Sequence, residues 1–499
     1  MFLTFLFLTL LILAVLATLG LTGLAWMTQL LPASRLLAVC ALLLFVPVVL
    51  ALLYKANRNK RSAKGIQIVG CLLLAVICLA EAAGLRYLGI ANSTLNELTG
   101  GDTQITVMGV YVREGDAAQN LQDASHYSFA TVSSADELPL AQTLLEMERL
   151  CGHGFDLRDQ ASIPDALIAL ASGQCGALLI NTAYPELFDS GQTGVDASGF
   201  RCIYTYNVES SIDSMGGESP LSLLQRLFRR ADSQSFCLYV SGIDTWGPVS
   251  TASRSDVNIL GIVNPESRTV LLISTPRDFY VPFPNVDGRR DKLTHAGVFG
   301  VDTSMQVLSD FYNTPVEYFL RMNFTGFQTI IDQLGGVDVY SDASFSAGGY
   351  YFTEGINHLD GAAALAFARD RSSFGEGDRA RGRHQMAVIQ GVIQSLSSSQ
   401  LLVHYADIMA ELAGSFQTNL PKELLGDLVQ KTLRGQSWTV VSYSVNGSGK
   451  MDWCHAVGAT AYVMEPFPDT VEYAQNLIRS IRQGKTLTQE QINQDAPQH

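Results

Sequence analysis

Arginines are concentrated in one short segment of the chain. Residues 369–383 contain five of them, although the whole protein has a formal net charge of −14 at pH 7. Arg369 and Arg371 lie two residues apart, so their side chains point to one side if the backbone between them is extended. Arg381 and Gln385 lie four residues apart and share a face of a predicted helix. Because guanidinium groups bind phosphate oxygens through paired hydrogen bonds and stay charged, this segment predicts a phosphate or pyrophosphate site.

Two carboxylates and one more arginine lie at the ends of predicted apolar strands. The strands cover residues 236–243, 257–263 and 269–273. Asp244 follows the first strand, Asp256 precedes the second and Arg277 follows the third. Functional residues concentrate where strands end, and carboxylates beside phosphate-binding arginines are typical of sites for Mg²⁺ or a similar cation such as Mn²⁺. The alternative interpretation is a surface network of Asp–Arg salt bridges, which contribute little to stability.

Three long apolar segments precede these clusters. They cover residues 2–21, 36–54 and 66–89. Each has roughly the 20 residues that a helix needs to span a bilayer, and Glu81 and Arg86 in the third are expected near the headgroups. The loop before the third segment carries five basic residues, which are Lys55, Arg58, Lys60, Arg61 and Lys64. By the positive-inside rule, this loop and the N-terminus are cytoplasmic and the chain after about residue 90 lies outside.

The outer part alternates between predicted strands and helices. We expect a linker at 90–102, an α/β accessory domain at 103–232, a second domain at 236–484 and a polar tail at 485–499. In the accessory domain, strands are predicted at 106–112 and 176–181, and helices at 138–150 and 164–172. In the second domain, the strands named above are followed by a strand at 317–324 and helices at 325–334, 360–368 and 379–397. The alternation predicts an α/β/α layered fold for the second domain, and the accessory domain is assigned no chemistry.

Composition restricts the function further. An acidic chain repels phosphate outside local basic clusters, so nucleic acid is not expected as a partner. ATP is not expected outside the cytoplasmic membrane, so phosphoryl chemistry there must use a substrate that arrives activated. The eight cysteines include no CxxC pair, and their positions leave open either small buried thiols or one disulfide within residues 151–202. No histidine or cysteine spacing typical of zinc occurs in the sequence.

Several motifs of the second domain occur in the order typical of the LytR–CpsA–Psr family, which the chain resembles from about Phe236 to Gly484. The motifs are SGID (241–244), RSDVNIL (254–260), STPRDFYV (274–281), DKLTHA (291–296), NFTGFQTIIDQLGGVDV (323–339), HLDGAAALAFARDR (358–371) and GDRARGRHQ (377–385). Three membrane spans followed by an accessory domain resemble the capsule-associated branch of the family. The resemblance implies an α/β fold with a central mixed sheet and an apolar tunnel for a polyprenyl chain.

The resemblance also implies roles for individual residues. Asp244 and Asp256 match the acidic residues that hold the divalent metal. The positions that match residues around the lipid pyrophosphate are Arg277, Lys292, Arg369, Arg371, Arg381 and Gln385. Candidates for the tunnel wall are Phe319, Phe327, Ile330 and Ile331, each of which is equally compatible with ordinary core. His384 and Trp246 depart from the residues that the family usually has at these positions.

The implied activity is transfer of a glycopolymer from an undecaprenyl-pyrophosphate carrier to peptidoglycan through a phosphodiester bond. A sugar hydroxyl is expected to attack the polymer-proximal phosphorus, with catalysis by Arg277, Arg369 and Arg371 and with Asp278 or Asp370 as the base. Expected partners are the lipid-linked polymer, peptidoglycan, membrane lipid and proteins of capsule or wall assembly. Two alternatives stay open, a non-catalytic regulator or scaffold of wall assembly and a polyprenyl pyrophosphatase.

Overall fold

The computed structural model describes most of the chain. The described residues are 2–28, 33–57, 63–99, 103–134, 136–184, 199–211, 235–243, 249, 251, 253–284, 288–371, 373–374, 378–395, 415–433, 437–456 and 458–497. They divide into two compact units. The first contains the described residues of 1–99, 393–413 and 420–437, and the second contains those of 100–392, 414–419 and 438–499.

The first unit begins with three long apolar helices. These are α1 (Phe2–Thr28), α2 (Ala33–Asn57) and α3 (Ala63–Thr99). Each contains a stretch long and apolar enough to cross a membrane, namely Phe2–Trp26, Leu36–Asn57 and Lys64–Gly89. Helix α3 continues ten residues beyond the predicted third span, through most of the segment predicted as a linker. Residues 90–99 contain no proline or glycine, so an established helix extends through them at little cost.

Polar side chains join α1 to α3. Glu81 is 2% exposed and accepts a hydrogen bond from the Thr18 hydroxyl. Gln67 Nε2 donates to Thr4 Oγ1 at 2.9 Å. Because both pairs lie 63 positions apart in the sequence, α1 and α3 run in the same direction. A polar partner on α1 therefore accommodates Glu81, whereas the sequence predicted accommodation by the headgroups.

The accessory domain contains a five-stranded sheet in the order β3-β2-β4-β1-β5. The strands are β1 (Thr103–Arg113), β2 (Ser128–Thr131), β3 (Asp156–Asp159), β4 (Ala177–Asn181) and β5 (Phe200–Ser211), and the helices are α4 (Leu121–Ala124), α5 (Glu137–Cys151) and α6 (Ile163–Ala171). The sequence predicted β1, β4, α5 and α6. It missed two four-residue strands and the edge strand β5, whose polar second half is held by pairing with β1 rather than by an apolar pattern. All eight cysteines are free thiols, so no disulfide joins residues 151–202.

The central sheet of the second domain has the order β16-β11-β6-β7-β8-β17. Its strands are β6 (Phe236–Ile243), β7 (Ser255–Asn264), β8 (Thr269–Ser274), β11 (Tyr318–Met322), β16 (Phe416–Thr418) and β17 (Thr439–Ser444). β11 is parallel to β6 and β17 is parallel to β8, whereas the other neighbours are antiparallel. The sheet is therefore mixed, as predicted. β8 is buried along its whole length, as expected for a strand covered on both faces.

The remaining described elements are short strands and helices. The strands are β9 (Tyr280–Pro282), β10 (Arg290–Lys292), β12 (Val337–Ser341), β13 (Phe345–Ala347), β14 (Tyr350–Phe352), β15 (Gly355–Leu359), β18 (Gly447–Cys454) and β19 (Ala459–Pro466). The helices are α7 (Leu293–Ala296), α8 (Val301–Tyr312), α9 (Phe324–Gln333), α10 (Gly361–Arg369), α11 (Asp378–Ser395), α12 (Lys422–Leu433), α13 (Pro468–Arg482) and α14 (Gln489–Asp495). Helix α12 belongs to the first unit. Strands β18 and β19 form an antiparallel hairpin.

The main core of the second domain joins the sheet to α8 and α13. Its members include Tyr239, Ile262, Leu271, Leu308 and Leu477. The segment 485–499, predicted as a polar tail, folds onto this core, because Ile492 of α14 is only 1% exposed within it. Helix α14 starts with a capping box formed by Thr488 and Gln491, which stabilises even a short helix.

The accessory and second domains share one hydrophobic cluster. The accessory domain contributes Ala130, Ile163, Ala166, Leu167, Leu170 and Tyr184, and the second domain contributes Tyr280, Val298, Cys454, Ala456, Ala461 and Val463. Most of the latter lie on or beside the β18–β19 hairpin. The two domains therefore pack against each other through buried apolar surface. The boundary predicted between residues 232 and 236 adjoins a segment outside the described residues and stays a prediction.

Candidate active site

Three elements bring the predicted site residues together. Asp256 lies at the start of β7, and Arg277 follows the end of β8. Since these strands are antiparallel neighbours, the end of β8 lies beside the start of β7, where the Thr275 N–H donates to the Asn258 carbonyl at 2.9 Å. Helix α11 carries Arg381 to the same end of the two strands.

Asp256 is the centre of the resulting charge cluster. Its Oδ1 accepts a hydrogen bond from Arg277 Nη1 at 2.5 Å. Its Oδ2 lies 3.3 Å from Arg381 Nη2 and 3.8 Å from Arg371 Nη2. The side chains of Asp256 and Arg381 are each 7% exposed, whereas that of Arg371 is 43% exposed. Three guanidinium groups around one carboxylate leave an excess of positive charge, which suits an anionic ligand.

A second group of charges adjoins the first. Asp278 Oδ1 lies 3.4 Å from Lys292 Nζ, and Asp278 Oδ2 lies 3.8 Å from Arg277 Nε. We call Arg277, Asp278 and Lys292 the Lys292 arm. Arg277 belongs to both groups, so it connects Asp278 and Lys292 to the cluster around Asp256. Helix α7 follows Lys292 directly, and its Thr294 N–H donates to the Arg277 carbonyl at 2.9 Å.

A pocket with about 330 Å³ of empty space, partly open to solvent, lies at the first group. The lining residues that the sequence predicted are Asp256, Arg277, Arg381 and Gln385. Three residues without a predicted role, Asn258, Thr275 and Arg379, also line it. Arg379 belongs to the arginine-rich segment, and Asn258 and Thr275 are polar residues in or next to apolar strands. A search for every arginine of the arginine-rich segment, and for polar residues in or next to apolar strands, would have found these three residues.

Helix α11 approaches β8 closely at Gly382. A Cβ atom at this position would lie 2.5 Å from Ser274 Oγ, which is closer than a van der Waals contact allows. On the same helix, Gln385 Nε2 donates to the Ala368 carbonyl of α10 at 3.5 Å. Glycine therefore permits the approach that brings Arg381 within reach of Asp256.

Arg369, Asp370 and Arg371 are not among the described residues that line the pocket. Arg369 is the last residue of α10, and its guanidinium carbon lies 4.5 Å from the centre of the Phe324 ring. Asp370 is 6% exposed and accepts a hydrogen bond from the Ser373 hydroxyl at 3.1 Å. The condition of extended backbone over 369–371 is met only in part, because Arg369 is still helical and Asp370 is extended. Arg371 lies next to Asp256, and the role of Arg369 at the site stays a prediction.

His384 lies in an aromatic cluster. Its ring centroid is 5.0 Å from that of Phe345, 4.5 Å from that of Phe367 and 5.1 Å from that of Phe374. The residue is 6% exposed, and burial lowers its pKa. His384 therefore anchors α11 as a neutral side chain. Trp246, the other departure from the family pattern, lies outside the described residues.

The predicted metal site is described only in part. Asp244 lies outside the described residues. Within the described part of the chain, no group of three or more His, Cys, Asp or Glu side chains is arranged to hold a metal ion. Asp256 contacts guanidinium groups through both oxygens, yet each carboxylate oxygen has a further lone pair. As a hard oxygen donor at the pocket, Asp256 fits one ligand of a cation such as Mg²⁺.

The four residues predicted for the tunnel wall lie in two separate clusters. Phe319 is fully buried in the main core with Tyr239. Ile331 is also fully buried, and Phe327 and Ile330 pack against its cluster. The four side chains therefore do not share one cluster. The tunnel stays a prediction, with Phe327, Ile330 and Ile331 as its connected candidates.

Comparison with known proteins identifies relatives over this region. The sequence profile of the LytR_cpsA_psr family matches residues 206–472. A polyisoprenyl-teichoic acid–peptidoglycan teichoic acid transferase, TagU, of Bacillus cereus is 35% identical over 233 residues, which cover 45% of this chain and 76% of that protein. The protein of the same name from Enterococcus faecalis is 33% identical over 192 residues, covering 38% and 63%. Among solved structures, B. subtilis TagV has 24% identity and a TM-score of 0.43 over 51% of this chain and 99% of that chain, and TagT bound to LIIa-WTA has 25% identity and a TM-score of 0.42 over 51% and 93%.

Proposed function

Because the chain belongs to the LytR–CpsA–Psr family, we propose that it is a phosphotransferase that moves a glycopolymer from a polyprenyl-pyrophosphate carrier to peptidoglycan. Its relatives are named polyisoprenyl-teichoic acid–peptidoglycan teichoic acid transferases. Those names support a lipid-linked anionic glycopolymer as the donor and peptidoglycan as the acceptor. The product is a phosphodiester that joins the polymer to the wall.

The observation that carries this proposal is the group of three guanidinium groups around Asp256, two of which, those of Arg277 and Arg381, line the pocket. The planar guanidinium group of arginine donates paired hydrogen bonds that match two oxygens of a phosphate group. Asp256 and Arg381 are nearly buried, so solvent screens their charges weakly and the field at the pocket is strong. Such a field favours a pyrophosphate over a neutral sugar, which supports the pocket as the place where the carrier's pyrophosphate binds.

In the proposed reaction, an acceptor hydroxyl attacks the polymer-proximal phosphorus. A new P–O bond forms, and the bridging P–O bond to the lipid phosphate breaks. Arg277, Arg371 and Arg381 hold the phosphoryl oxygens and stabilise the charge that develops on the leaving phosphate. Asp278 accepts the proton of the hydroxyl, because it lies beside Arg277 whereas Asp370 is buried against Ser373. Arg369 is not assigned a part in this step.

A divalent cation, Mg²⁺ or Mn²⁺, belongs to the proposal. Asp256 and Asp244 would hold it. When bound, it would supply further neutralisation of the phosphoryl charge. The carboxylate of Asp256 at the pocket supports this assignment, since hard oxygen donors suit both ions.

Three apolar helices suggest a membrane anchor that precedes the transferase domain. The basic loop at residues 55–64 supports a cytoplasmic N-terminus, which puts the pocket on the outer side of the membrane. Peptidoglycan and the lipid-linked polymer meet on that side. Membrane lipid and proteins of wall or capsule assembly complete the proposed partners.

The test uses the full-length protein in detergent with Mg²⁺, a labelled glycopolymer on a polyprenyl-pyrophosphate carrier, and peptidoglycan. We expect label to appear on peptidoglycan with release of polyprenyl phosphate. Arg371→Ala should reduce the rate at least tenfold, because the variant loses a guanidinium next to Asp256. Arg479→Ala is the matched control, since Arg479 is an exposed arginine of α13 that hydrogen bonds Asn476.

Each outcome of this assay identifies one activity. Label on peptidoglycan supports the transferase. Release of free glycopolymer phosphate, with no label on peptidoglycan, identifies a pyrophosphatase. Binding of the carrier without turnover identifies a scaffold, and both of these results refute the proposed transfer.

A further inference from the structure

Asp291 is a buried carboxylate next to the site. It is 1% exposed and accepts hydrogen bonds from the N–H groups of Lys292 at 2.7 Å and Ala456 at 2.5 Å. Its Oδ1 lies 2.6 Å from His295 Nδ1. Burial opposes ionisation of Asp291, but the His295 imidazole and the N–H donors outweigh burial and lower its pKa. Removing these partners would leave a buried charge uncompensated, so the carboxylate and its neighbours hold one another in place.

The contacts of Asp291 determine where Lys292 stands. Lys292 ends β10, pairs with Tyr280 of β9 and directly precedes α7. Its backbone N–H is bound by Asp291, and its ammonium group reaches Asp278 at 3.4 Å. A shift of the Asp291 carboxylate therefore moves the Lys292 backbone, and with it the charge next to Arg277.

The β18–β19 hairpin holds the Lys292 arm from two directions. Ala456, which follows β18, donates to Asp291. Met464 of β19 donates its N–H to the Asp278 carbonyl at 2.7 Å. The hairpin therefore binds the backbone of one arm residue and the carboxylate that orients another.

The accessory domain packs on the same hairpin. Ala461 and Val463 of β19 are buried in one cluster with Leu167 and Leu170 of α6. At the hairpin turn, a Cβ atom on Gly458 would lie 2.5 Å from the Pro164 ring, so the backbones approach closely there. A continuous series of buried contacts runs from α6 through the hairpin to Asp291 and Lys292.

We propose that Asp291 is a positioning residue that holds Lys292 at the site, and that the accessory domain supports this position through the β18–β19 hairpin. The proposal rests on the proposed function only for the part that Lys292 plays in binding the pyrophosphate. It assigns the accessory domain a role in the reaction of the neighbouring domain, without chemistry of its own.

A double-mutant cycle in the full-length protein tests the first part. Asp291→Asn keeps the shape of the side chain but has one acceptor oxygen in place of two. We expect it to lower kcat/KM roughly 10- to 100-fold, because small misplacements at a reacting site have effects of this size. In a Lys292→Met background, Asp291→Asn should lower kcat/KM by less than about twofold, because the group it positions is already absent. If the losses in kcat/KM of the two single variants multiply in the double variant, Asp291 does not act through Lys292 and the proposal is wrong. Full activity of Asp291→Asn alone also overturns it.

A pair of accessory-domain variants tests the second part. Leu167→Ala removes a fully buried side chain from the cluster shared with the hairpin, and Met147→Ala removes one from the other core of the same domain. We expect Leu167→Ala to lower kcat/KM in the wild-type background and not in the Lys292→Met background. Met147→Ala should leave kcat/KM unchanged at a comparable loss of thermal stability. Equal losses from both variants, or none from Leu167→Ala, overturn the role of the accessory domain.

A second measurement separates this inference from the proposed function. The affinity for geranylgeranyl pyrophosphate is determined for the same variants by calorimetry. If the wild type binds this probe but transfers no polymer, the proposed function fails, and the affinities still complete the cycle between Asp291 and Lys292. If Asp291→Asn does not fold, Leu167→Ala and its control carry the test alone.

Discussion

Replacing Arg381 with methionine separates the electrostatic role of this side chain from its packing. Arg381 is 7% exposed and lies 3.3 Å from Asp256 Oδ2. Methionine preserves most of the aliphatic volume and removes the charge. If Arg381 holds the transferred phosphoryl group, the variant loses a buried charge-assisted hydrogen bond in the transition state. Removal of one preorganised donor of this kind costs roughly 10²- to 10³-fold in rate.

The expected loss of stability is small by comparison. Breaking an isolated buried ion pair costs about 3–5 kcal/mol, because it leaves an uncompensated charge. Here Asp256 keeps Arg277 at 2.5 Å and Arg371 at 3.8 Å, and the buried guanidinium itself no longer has to be desolvated. We therefore expect a loss of about 1 kcal/mol, which lowers Tm by about 2–4 °C in a domain of this size.

Steady-state transfer assays and differential scanning calorimetry on the same samples measure the two effects. Arg371→Met is the matched comparison, since its side chain is 43% exposed and its ion pair adds little to stability. We expect both variants to lose activity and only Arg381→Met to lose measurable stability. If Arg381→Met retains more than a tenth of the wild-type kcat/KM, the assignment of this arginine to the phosphoryl group is wrong.

Three further predictions follow from the same geometry. Gly382→Ala should reduce transfer, because its Cβ would lie 2.5 Å from the Oγ of Ser274, so this pocket-lining side chain has to move. Gly115→Ala, with no heavy atom within 4 Å of the added Cβ, is the control, and equal rates of transfer by the two variants contradict the packing argument. Burial lowers the pKa of His384, so below pH about 6.5 the unfolded chain binds a proton that the folded protein does not, and stability falls with falling pH. The Tm of His384→Phe should therefore fall less than the wild-type Tm between pH 7 and 5. Parallel curves of Tm against pH for the two proteins would refute this. Chelation with EDTA should abolish transfer, and Mg²⁺ or Mn²⁺ should restore it; turnover that persists in EDTA excludes the cation.

The arginine-rich segment shows how far the residues of the site could be predicted. Five arginines in an acidic chain indicated an anion site, and the strand ends indicated Asp256 and Arg277 as its companions. For Arg369 the sequence analysis considered extended backbone, whereas the residue is still helical, because α10 ends one residue later than predicted. At a helix end, an error of one residue changes the direction in which a side chain points.

Elements with strong local patterns could be predicted, and those held by distant partners could not. The apolar strand β6 has the predicted bounds, because a short continuous run of apolar residues indicates a buried strand. The second half of β5 is polar and becomes a strand through pairing with β1. The short helix α14 is ordered by burying Ile492 in the main core. Neither element has an apolar period that a window along the chain would detect.

Local sequence alone determined the three apolar helices, the alternation of strands and helices, and the concentration of positive charge, because each depends on residues that are close together in the chain. The tertiary structure decided which charges meet. Asp256 and Arg381 lie 125 positions apart, and Asp291 and Ala456 lie 165 positions apart. Contacts over such separations form only when the sheet, the helices and the hairpin that carry these residues pack together, since burial of their apolar surface offsets the entropy of bringing the segments into contact.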